Sequence, residues 1–300
     1  MDKKGILLVL GTAVISGLSI YINKFGVALA NPVVFTFLKN SIVALMLCSI
    51  ILSWKNWQEI KELNFKKWIT LLIIGLVGGC IPFILFFKGL AMTSAAQGSF
   101  IHKTMFLYVA VLAVIFLKEK INKYFFGGAT LILVGNLLVL KNFSFSVGAG
   151  DILIFIAVLF WAAESIISKR IMKETKSDIV AVARMFFGAI FIFSYLEISG
   201  QSAELTSLNL KQIGWIIITA VFLFGYVITW YRGLAKIPVS VATSILLLGS
   251  PITTALFLIS ANEIDYAQIF SGLLAIAGVV IIILYGYEKS GRKEKEFSRA

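Results

Sequence analysis

The stretch Lys88-Gly89-Leu90-Ala91 recurs 144 residues later as Arg232-Gly233-Leu234-Ala235, and this match sets the register of a repeat that covers the chain. An offset of 144 or 145 residues also pairs charged and small residues elsewhere: Lys24 with Lys169, Lys39 with Arg184, Glu119 with Glu263, and Gly128 with Gly272. One copy therefore begins near Met1 and the other near Asp151.

Each copy contains five long apolar stretches. Of the 300 residues, 59% are hydrophobic and only 14% are charged. This composition indicates transmembrane helices, each of which needs roughly 20 apolar residues to cross a bilayer. The sequence therefore predicts an all-α integral membrane protein with ten transmembrane helices in two five-helix repeats. The predicted helices cover residues 5–26, 32–53, 67–91, 95–117, 124–141, 152–172, 179–199, 212–235, 239–260 and 266–287.

Because five is an odd number, the second copy enters the bilayer from the side opposite to the first. Inverted repeats of this kind form secondary transporters that open a central site alternately to the two sides of the membrane. The predicted organisation is a first repeat at 1–141, an outer linker at 142–150, a second repeat at 151–288 and a basic tail at 289–300. The ten helices leave no room for the soluble domain that a sensor or scaffold protein normally carries.

The net charge of +12 is distributed unevenly between the two predicted sides of the membrane. With a cytosolic amino terminus, 19 of the 27 Lys and Arg residues lie on the cytosolic side, six lie within helices, and only Lys141 and Lys211 lie in outer loops. Cytosolic loops of membrane proteins are enriched in these residues. We therefore expect a multi-pass protein of the plasma membrane with both termini in the cytosol, and the lipid bilayer, not a nucleic acid, as the partner of the basic charge.

The residue types indicate no metal, disulfide or cofactor. Cys48 and Cys80 fall within apolar stretches, and His102 is the only histidine, so the sequence has no zinc-ligand spacing and no disulfide framework. No glycine-rich phosphate loop follows a strand. One histidine and no pair of buried carboxylates also leave little for catalysis, and a membrane-embedded enzyme is the less favoured alternative to a transporter.

Glycines and prolines inside the predicted helices affect packing. Gly128 and Gly135 lie seven residues apart and share a helix face, where small residues allow close approach either within the chain or in a homodimer. Pro82 and Pro251 lack the backbone N–H that an α-helix needs, and each predicts a kink, either fixed or acting as a hinge.

Several stretches of the chain match one pattern. Thr104–Leu140 reads TMFLYVAVLAVIFLKEKINKYFFGGATLILVGNLLVL, and Ser250–Leu284 reads SPITTALFLISANEIDYAQIFSGLLAIAGVVIIIL. Each contains a helix that ends in a Glu, then a short polar turn, then a helix rich in small residues. Lys24 and Lys39 lie on the first two helices and have basic copies in the second half. Together these stretches resemble the EamA-type repeat of the drug/metabolite transporter superfamily.

The resemblance implies a ten-helix permease with both termini in the cytosol. In such proteins the first four helices of each half surround a central substrate cavity, and the fifth lies at the periphery. The superfamily includes carriers and exporters of amino acids, other metabolites and drugs. The chain departs from the family at Lys118 and Asn262, which precede the two Glu residues where the family often has Gly. We expect tighter or more polar turns there.

Charged residues inside the predicted helices need an explanation, because a charge at mid-membrane costs about 2.5–3.5 kcal/mol on insertion scales. Those that the repeat duplicates are expected to serve the fold or a gate: Lys39 with Arg184, and Lys88 with Arg232. Direct contact with a substrate is the alternative for Lys39 and Arg184, which lie seven residues inside their helices. Glu119 and Glu263, at helix ends, are expected to cap a helix or face the surface.

Polar residues found in only one copy are better candidates for the substrate. His102, Lys103 and Glu164 correspond to leucines or a serine in the other copy, so the symmetry of the fold does not require them. Helical spacing places Ser99 with Lys103 on one face and Trp161 with Glu164 on another. The alternative is an ion pair between Lys103 and Glu164 that holds two helices together. The candidate substrate-binding residues are Lys103, Glu164, His102, Ser99, Trp161, Lys39 and Arg184.

The predicted function is a secondary transporter that moves a small polar metabolite, an amino acid or related compound, by alternating access. Lys103 and Glu164 offer opposite charges, which suit a zwitterion. The alternative within the same fold is an exporter of organic anions or drugs, in which Lys103, Lys39 and Arg184 hold the anion. Glu164 or His102 would then serve proton coupling, although an interhelical hydrogen bond is the other interpretation of the histidine.

Overall fold

The computed structural model describes residues 2–27, 31–53, 57–90, 92–93, 95–138, 147–261 and 265–297. Within these ranges the side chains of residues 24–27, 53, 95–96, 99, 257, 261 and 285–297 lie outside the description. Several predictions therefore fall outside the described residues, namely those on Lys141, linker residues 142–146, Asn262 and Glu263, and those on the side chains of Lys24 and Ser99.

The described chain is helical, and no strand is present in these ranges. The helices are α1 (Lys3–Val27), α2 (Pro32–Ser53), α3 (Trp57–Lys61), α4 (Phe65–Ile74), α5 (Ile81–Leu90), α6 (Ala95–Lys103), α7 (Met105–Leu117), α8 (Lys123–Leu138), α9 (Ala149–Ile171), α10 (Ser177–Ile198), α11 (Leu210–Leu234), α12 (Val239–Leu246), α13 (Gly249–Ala261) and α14 (Tyr266–Phe297). A π-helical segment (Gly75–Cys80) joins α4 to α5, and a 3₁₀ turn (Ser202–Thr206) precedes α11.

Nine helical segments of the described chain are long and apolar enough to cross a bilayer. α8, at the position of the fifth span, is apolar but shorter and brings the number to ten. The third span combines α4, the π segment and α5, whereas the fourth combines α6 with α7 and the ninth combines α12 with α13. The predicted all-α fold with ten membrane helices is confirmed, with bounds that shift by a few residues. α14 continues beyond the membrane span into the predicted basic tail, as far as Phe297.

The helices of the two halves make reciprocal contacts: where a helix of the first half packs on one of the second, their counterparts also pack on each other. α1 packs on α11, and its counterpart α9 packs on α5 and the π segment. α2 packs on its own counterpart α10, and α8 packs on its counterpart α14. These reciprocal contacts are the arrangement expected of two inverted repeats related by a two-fold axis.

The fourth and ninth spans are divided at the same position of the repeat. Their second parts begin at Met105 and Gly249, which are 144 residues apart. In the ninth span, Pro251 has no N–H for the carbonyl oxygen of Leu247, and Ser250 N donates to that oxygen instead, at 3.0 Å. The kink predicted at Pro251 is therefore a tightened turn between α12 and α13.

Charged side chains cap two helix ends from distant parts of the chain. The carboxylate of Glu119 accepts hydrogen bonds from Val239 N (2.7 Å) and Ser240 N (3.2 Å) at the start of α12. Lys169 Nζ donates to three carbonyl oxygens at and just beyond the end of α11, at 2.6–3.1 Å. Both contacts match the partial charges of helix ends, and the capping role expected of Glu119 is observed.

α8 and α14 approach closely along their glycines. A Cβ atom added at Gly128 would overlap the carbonyl oxygen of Gly278, and one added at Gly135 would lie 3.0 Å from the carbonyl oxygen of Ser271. This glycine face is therefore packed within the chain, which favours the intramolecular interpretation. A homodimer stays a prediction, and its interface would need another surface.

Candidate functional site

A buried carboxylate connects two helices of the second half. Glu164 lies on α9, seven residues before the end of the helix, which corresponds to about 10 Å along its axis. Only 2% of the surface of this residue is exposed to solvent. Oε1 accepts hydrogen bonds from Ser168 Oγ (2.6 Å), one turn along α9, and from Tyr231 Oη (2.5 Å) on α11. Such donors replace the water that the carboxylate loses on burial.

Arg184 of α10 brings a positive charge to the same cluster. Its guanidinium carbon lies 6.0 Å from the centre of the Tyr231 ring, and its Nη2 donates to the carbonyl oxygen of Gly78 at 3.2 Å. Its Nε is buried without a hydrogen-bond partner. Both charged groups are described, and no ion pair joins Arg184 to Glu164. We call Glu164, Ser168, Tyr231, Arg184 and Gly78 the Glu164 network.

The sequence of the third span explains why the carbonyl oxygen of Gly78 is available. In an α-helix this oxygen would accept from the N–H four residues later, but that residue is Pro82 and has none. The π-helical turn at Gly75–Cys80 also changes the backbone hydrogen bonding there. A side chain at Gly78 is excluded, because a Cβ would overlap Cγ of Glu164 and lie 3.2 Å from Nε of Arg184. The kink predicted at Pro82 thus creates an acceptor for the site.

Aromatic side chains lie next to this network. Trp161 is one turn from the carboxylate on the same face of α9, and its Nε1 donates to the carbonyl oxygen of Gly78 at 3.2 Å. The centre of its ring lies 5.4 Å from that of Phe83, 5.5 Å from that of Phe86 and 5.4 Å from that of His102. All four rings are half-buried. We call Phe83, Phe86, His102 and Trp161 the aromatic layer.

Four of the predicted candidates, Glu164, Arg184, Trp161 and His102, therefore lie together. His102 joins the cluster through its ring, whose centroid also lies 5.5 Å from the centroid of the Phe86 ring. Its described interhelical contacts are thus ring contacts. The hydrogen bond or proton-carrier role that the sequence suggests stays a prediction. The hydroxyl of Ser99 falls outside the described side chains.

Lys103 lies in a separate pocket. The polar side chains of Asn136 on α8, Thr254 on α13 and Ser271 on α14 line the pocket together with it. Glu164 does not line this pocket, and no ion pair joins the two described residues. Lys103 and Glu164 therefore lie in two different clusters. The sequence suggests this pair of opposite charges for binding a zwitterion or for an ion pair between helices.

Lys39 occupies in the first half the position that Arg184 occupies in the second. It is 7% exposed, and its Nζ lies 3.4 Å from Oδ1 of Asn23. Asn23 Nδ2 in turn donates to Oγ of Ser19, which is the repeat counterpart of Glu164, at 2.9 Å. The two halves thus contain equivalent polar clusters, and among the described residues only the second cluster contains a carboxylate.

The other duplicated pair of basic residues lies at helix ends. Arg232 donates two hydrogen bonds of 2.8 Å to the carboxylate of Asp178 at the start of α10. Lys88 is exposed, and its Nζ lies 5.0 Å from the centre of the Tyr195 ring. These positions suit a structural role at the membrane edge.

Several residues of these clusters are not predicted by the sequence analysis, and Tyr231, Asn136 and Gly78 are examples. Tyr231 corresponds in the repeat to Phe87, and Asn136 corresponds to Val280. Both are polar in one copy and apolar in the other, which is the signal that also distinguishes Glu164. Gly78 is indicated only by its position four residues before a proline.

Comparison with known proteins agrees with this architecture. The sequence profile of the EamA-like transporter family matches residues 3–141 and 148–284. The uncharacterized transporter YyaM of Bacillus subtilis is 24% identical over 283 residues, which cover 91% of this chain and 92% of that protein. The riboflavin transporter ImpX of Fusobacterium nucleatum is 25% identical over 261 residues, which cover 80% of this chain and 85% of that protein.

A solved crystal structure shows the same fold. It aligns with a TM-score of 0.76 and 14% sequence identity, and the alignment covers 96% of this chain and 99% of the other. The family profile matches each half of the chain separately, in the two segments that the internal repeat and the reciprocal helix contacts also define. This multi-pass membrane protein therefore belongs to the EamA-like transporter family.

Proposed function

We propose that this transporter moves a small polar metabolite of the amino-acid class across the plasma membrane by alternating access. The observation that carries the proposal is the contact between the Glu164 network and the aromatic layer. Ionisable groups inside membrane helices are costly and commonly mark the path of a solute. Half-buried rings beside them offer a surface for the body of the solute, and the face of Trp161 can attract an ammonium group.

The two charged groups of the network would bind different ends of the solute. Glu164 lies one turn from Trp161, so its negative charge favours an ammonium group over that ring. Arg184 is the nearest cation of the network, and its Nε has no hydrogen-bond partner. A carboxylate of the solute would supply the missing acceptor.

The equivalent clusters in the two halves support alternating access. Arg184 links α10 to the third span through Gly78, and Lys39 links α2 to α1 through Asn23. Because the repeats are inverted, these equivalent positions lie nearer to opposite sides of the bilayer. In the proposed cycle each cluster closes one side, and rocking of the halves opens one cluster while the other closes.

An exporter of organic anions or drugs is the second candidate. Three basic residues, Lys39, Lys103 and Arg184, are largely buried in spans, and none of them has an ion-pair partner among the described residues. An anionic solute would compensate such an excess of positive charge. One relative is a riboflavin transporter, so a planar aromatic solute is a further candidate. The rings of Phe86 and Trp161 could stack against such a solute.

Flux through liposomes that contain the purified protein tests this proposal. The probes are a mixture of amino acids, a mixture of organic anions, and riboflavin, each followed by mass spectrometry for uptake, efflux and chemical change. We expect amino-acid flux that falls about tenfold in Trp161→Ala, the effect of ~1.4 kcal/mol of lost interaction. Trp57→Ala is the matched control, since Trp57 is 50% exposed on α3. Flux of organic anions alone would favour the second candidate, and a chemical product without flux would contradict both.

A further inference from the structure

A polar pocket lies between the fourth, fifth, ninth and tenth spans, apart from the Glu164 network. Its volume is about 30 Å³, which exceeds the ~10–15 Å³ that one water molecule needs. Its polar lining consists of Lys103, Asn136, Ser250, Thr254, Gln268 and Ser271. The described residues that line it include no Asp or Glu, and the adjacent carboxylate of Asp265 accepts hydrogen bonds from Gln268.

An amide donor and a charged group in this pocket have no compensating partner among the described residues. Asn136 is 8% exposed, and its Nδ2 has no hydrogen-bond partner. Buried polar groups in native proteins are nearly always paired, so an unpaired amide in a cavity indicates a ligand or water. Lys103 lines the same cavity, and no described carboxylate forms an ion pair with it.

The pocket extends from the interior of one span to the ends of two others. Lys103 lies eight residues after the start of α6, about 12 Å along the helix axis. Asn136 lies two residues before the end of α8, and Gln268 lies two residues after the start of α14. At the depth of Lys103 an uncompensated charge is unfavourable.

We propose that this pocket binds a small monovalent anion, which is either a free halide or, in place of the contact proposed for Arg184, the carboxylate group of the transported solute. An ammonium, an amide N–H and serine and threonine hydroxyls all donate to such a group, and the bound charge compensates that of Lys103. A metal cation does not fit, because it would need carboxylate or other anionic ligands. Water would satisfy Asn136, but it would leave the ammonium uncompensated.

Thermal unfolding of the purified transporter without solute tests this inference independently of transport. Chloride and formate are titrated against gluconate, which is too large for the cavity, at constant ionic strength. We expect a saturable rise of the midpoint with chloride or formate in the wild type. Lys103→Gln and Asn136→Leu should each weaken anion binding and so raise the half-saturating concentration about tenfold. Lys88→Gln is the control, because Lys88 is an exposed cation outside the pocket, and it should respond like the wild type.

The Asn136→Leu variant also separates an anion from water. Without any small anion it should be at least as stable as the wild type, because it removes an unpaired amide. Its half-saturating chloride concentration should nevertheless be about tenfold higher than that of the wild type. An equal response of wild type, Lys103→Gln and Asn136→Leu to chloride and gluconate would show a pocket that holds water only, and would overturn the inference even if transport is observed.

Competition identifies the source of the anion. This arm rests on the proposed function, because it uses a solute found in the flux experiment. A solute that raises the half-saturating chloride concentration in the wild type places its own carboxylate in the pocket. A solute that leaves this concentration unchanged assigns the pocket to a free anion.

Discussion

Tyr231 Oη donates a 2.5 Å hydrogen bond to Oε1 of Glu164 and thereby joins the end of α11 to the middle of α9. The two residues are 0% and 2% exposed. The same ring lies against the guanidinium of Arg184, so one tyrosine contacts both charges of the network. Because the repeat replaces this tyrosine by Phe87 in the other half, the contact is a specific feature of the second half and not a requirement of the fold.

Tyr231→Phe removes a donor from the buried carboxylate and keeps the ring. We expect a loss of about 1–3 kcal/mol in the free energy of unfolding and a reduced rate of transport. Thermal unfolding and flux measure the two effects. Tyr266→Phe changes a residue that is 78% exposed and should alter neither. A Tyr231→Phe protein with normal stability and flux would mean that the hydrogen bond has no role.

Gly78→Ala should disturb the same network from the third span. The added Cβ would overlap Cγ of Glu164, and overpacking of this kind costs about 1–3 kcal/mol. Gly127→Ala is the matched control, because a Cβ at Gly127 meets nothing within 4 Å. The control should be neutral or slightly stabilising in a thermal unfolding experiment. Equal effects of the two substitutions would show that Gly78 is not confined by its neighbours.

Two ion pairs connect the first half to the turn between α9 and α10. Lys176 Nζ lies 2.5 Å from Glu59, and Lys67 Nζ lies 3.6 Å from Glu174. Exposed ion pairs contribute only ~0–1 kcal/mol each, so their loss should change the balance between transport conformations more than stability. Glu59→Lys should change the flux rate without loss of folded protein, and Glu59→Lys with Lys176→Glu should restore it. Failure of the double exchange to restore flux would exclude this pair as a contact that matters for the cycle.

The charge distribution predicts the orientation in the membrane. With Cys48 and Cys80 replaced by Ala, single cysteines at Val147, Lys120 and Arg292 can be probed in whole cells with an impermeant thiol reagent. We expect labelling from outside at position 147 and none at positions 120 and 292, because basic loops stay in the cytosol. The reverse pattern would contradict the assigned topology.

The fold follows from the sequence because the bilayer imposes simple rules. The thickness of the bilayer sets the length of each helix, and five spans per copy force an inverted repeat. The match of Lys88–Ala91 with Arg232–Ala235 then aligns the two halves. Pro82 and Pro251 also mark the irregular turns correctly, since a missing N–H has a local effect.

The site was less predictable because it depends on which helices meet. Helical spacing puts Trp161 and Glu164 on one face, but it does not show that Tyr231 of α11 faces them. Lys103 and His102 are adjacent in the sequence, and yet they reach different clusters because α6 packs between α5, α8 and α9. Contacts between residues far apart in the chain are not encoded in periodicity.

Solute-dependent accessibility of position 102 tests alternating access at the aromatic layer most directly. His102→Cys is made in the protein without Cys48 and Cys80, and an impermeant thiol reagent is added to one side of oriented liposomes at a time. We predict that a transported solute raises the labelling rate from one side and lowers it from the other, while Leu45→Cys, on the apolar exterior where Leu45 is 71% exposed, shows no response to solute. Labelling of position 102 that is equal from both sides, or unchanged by any transported solute, would contradict alternating access at this site.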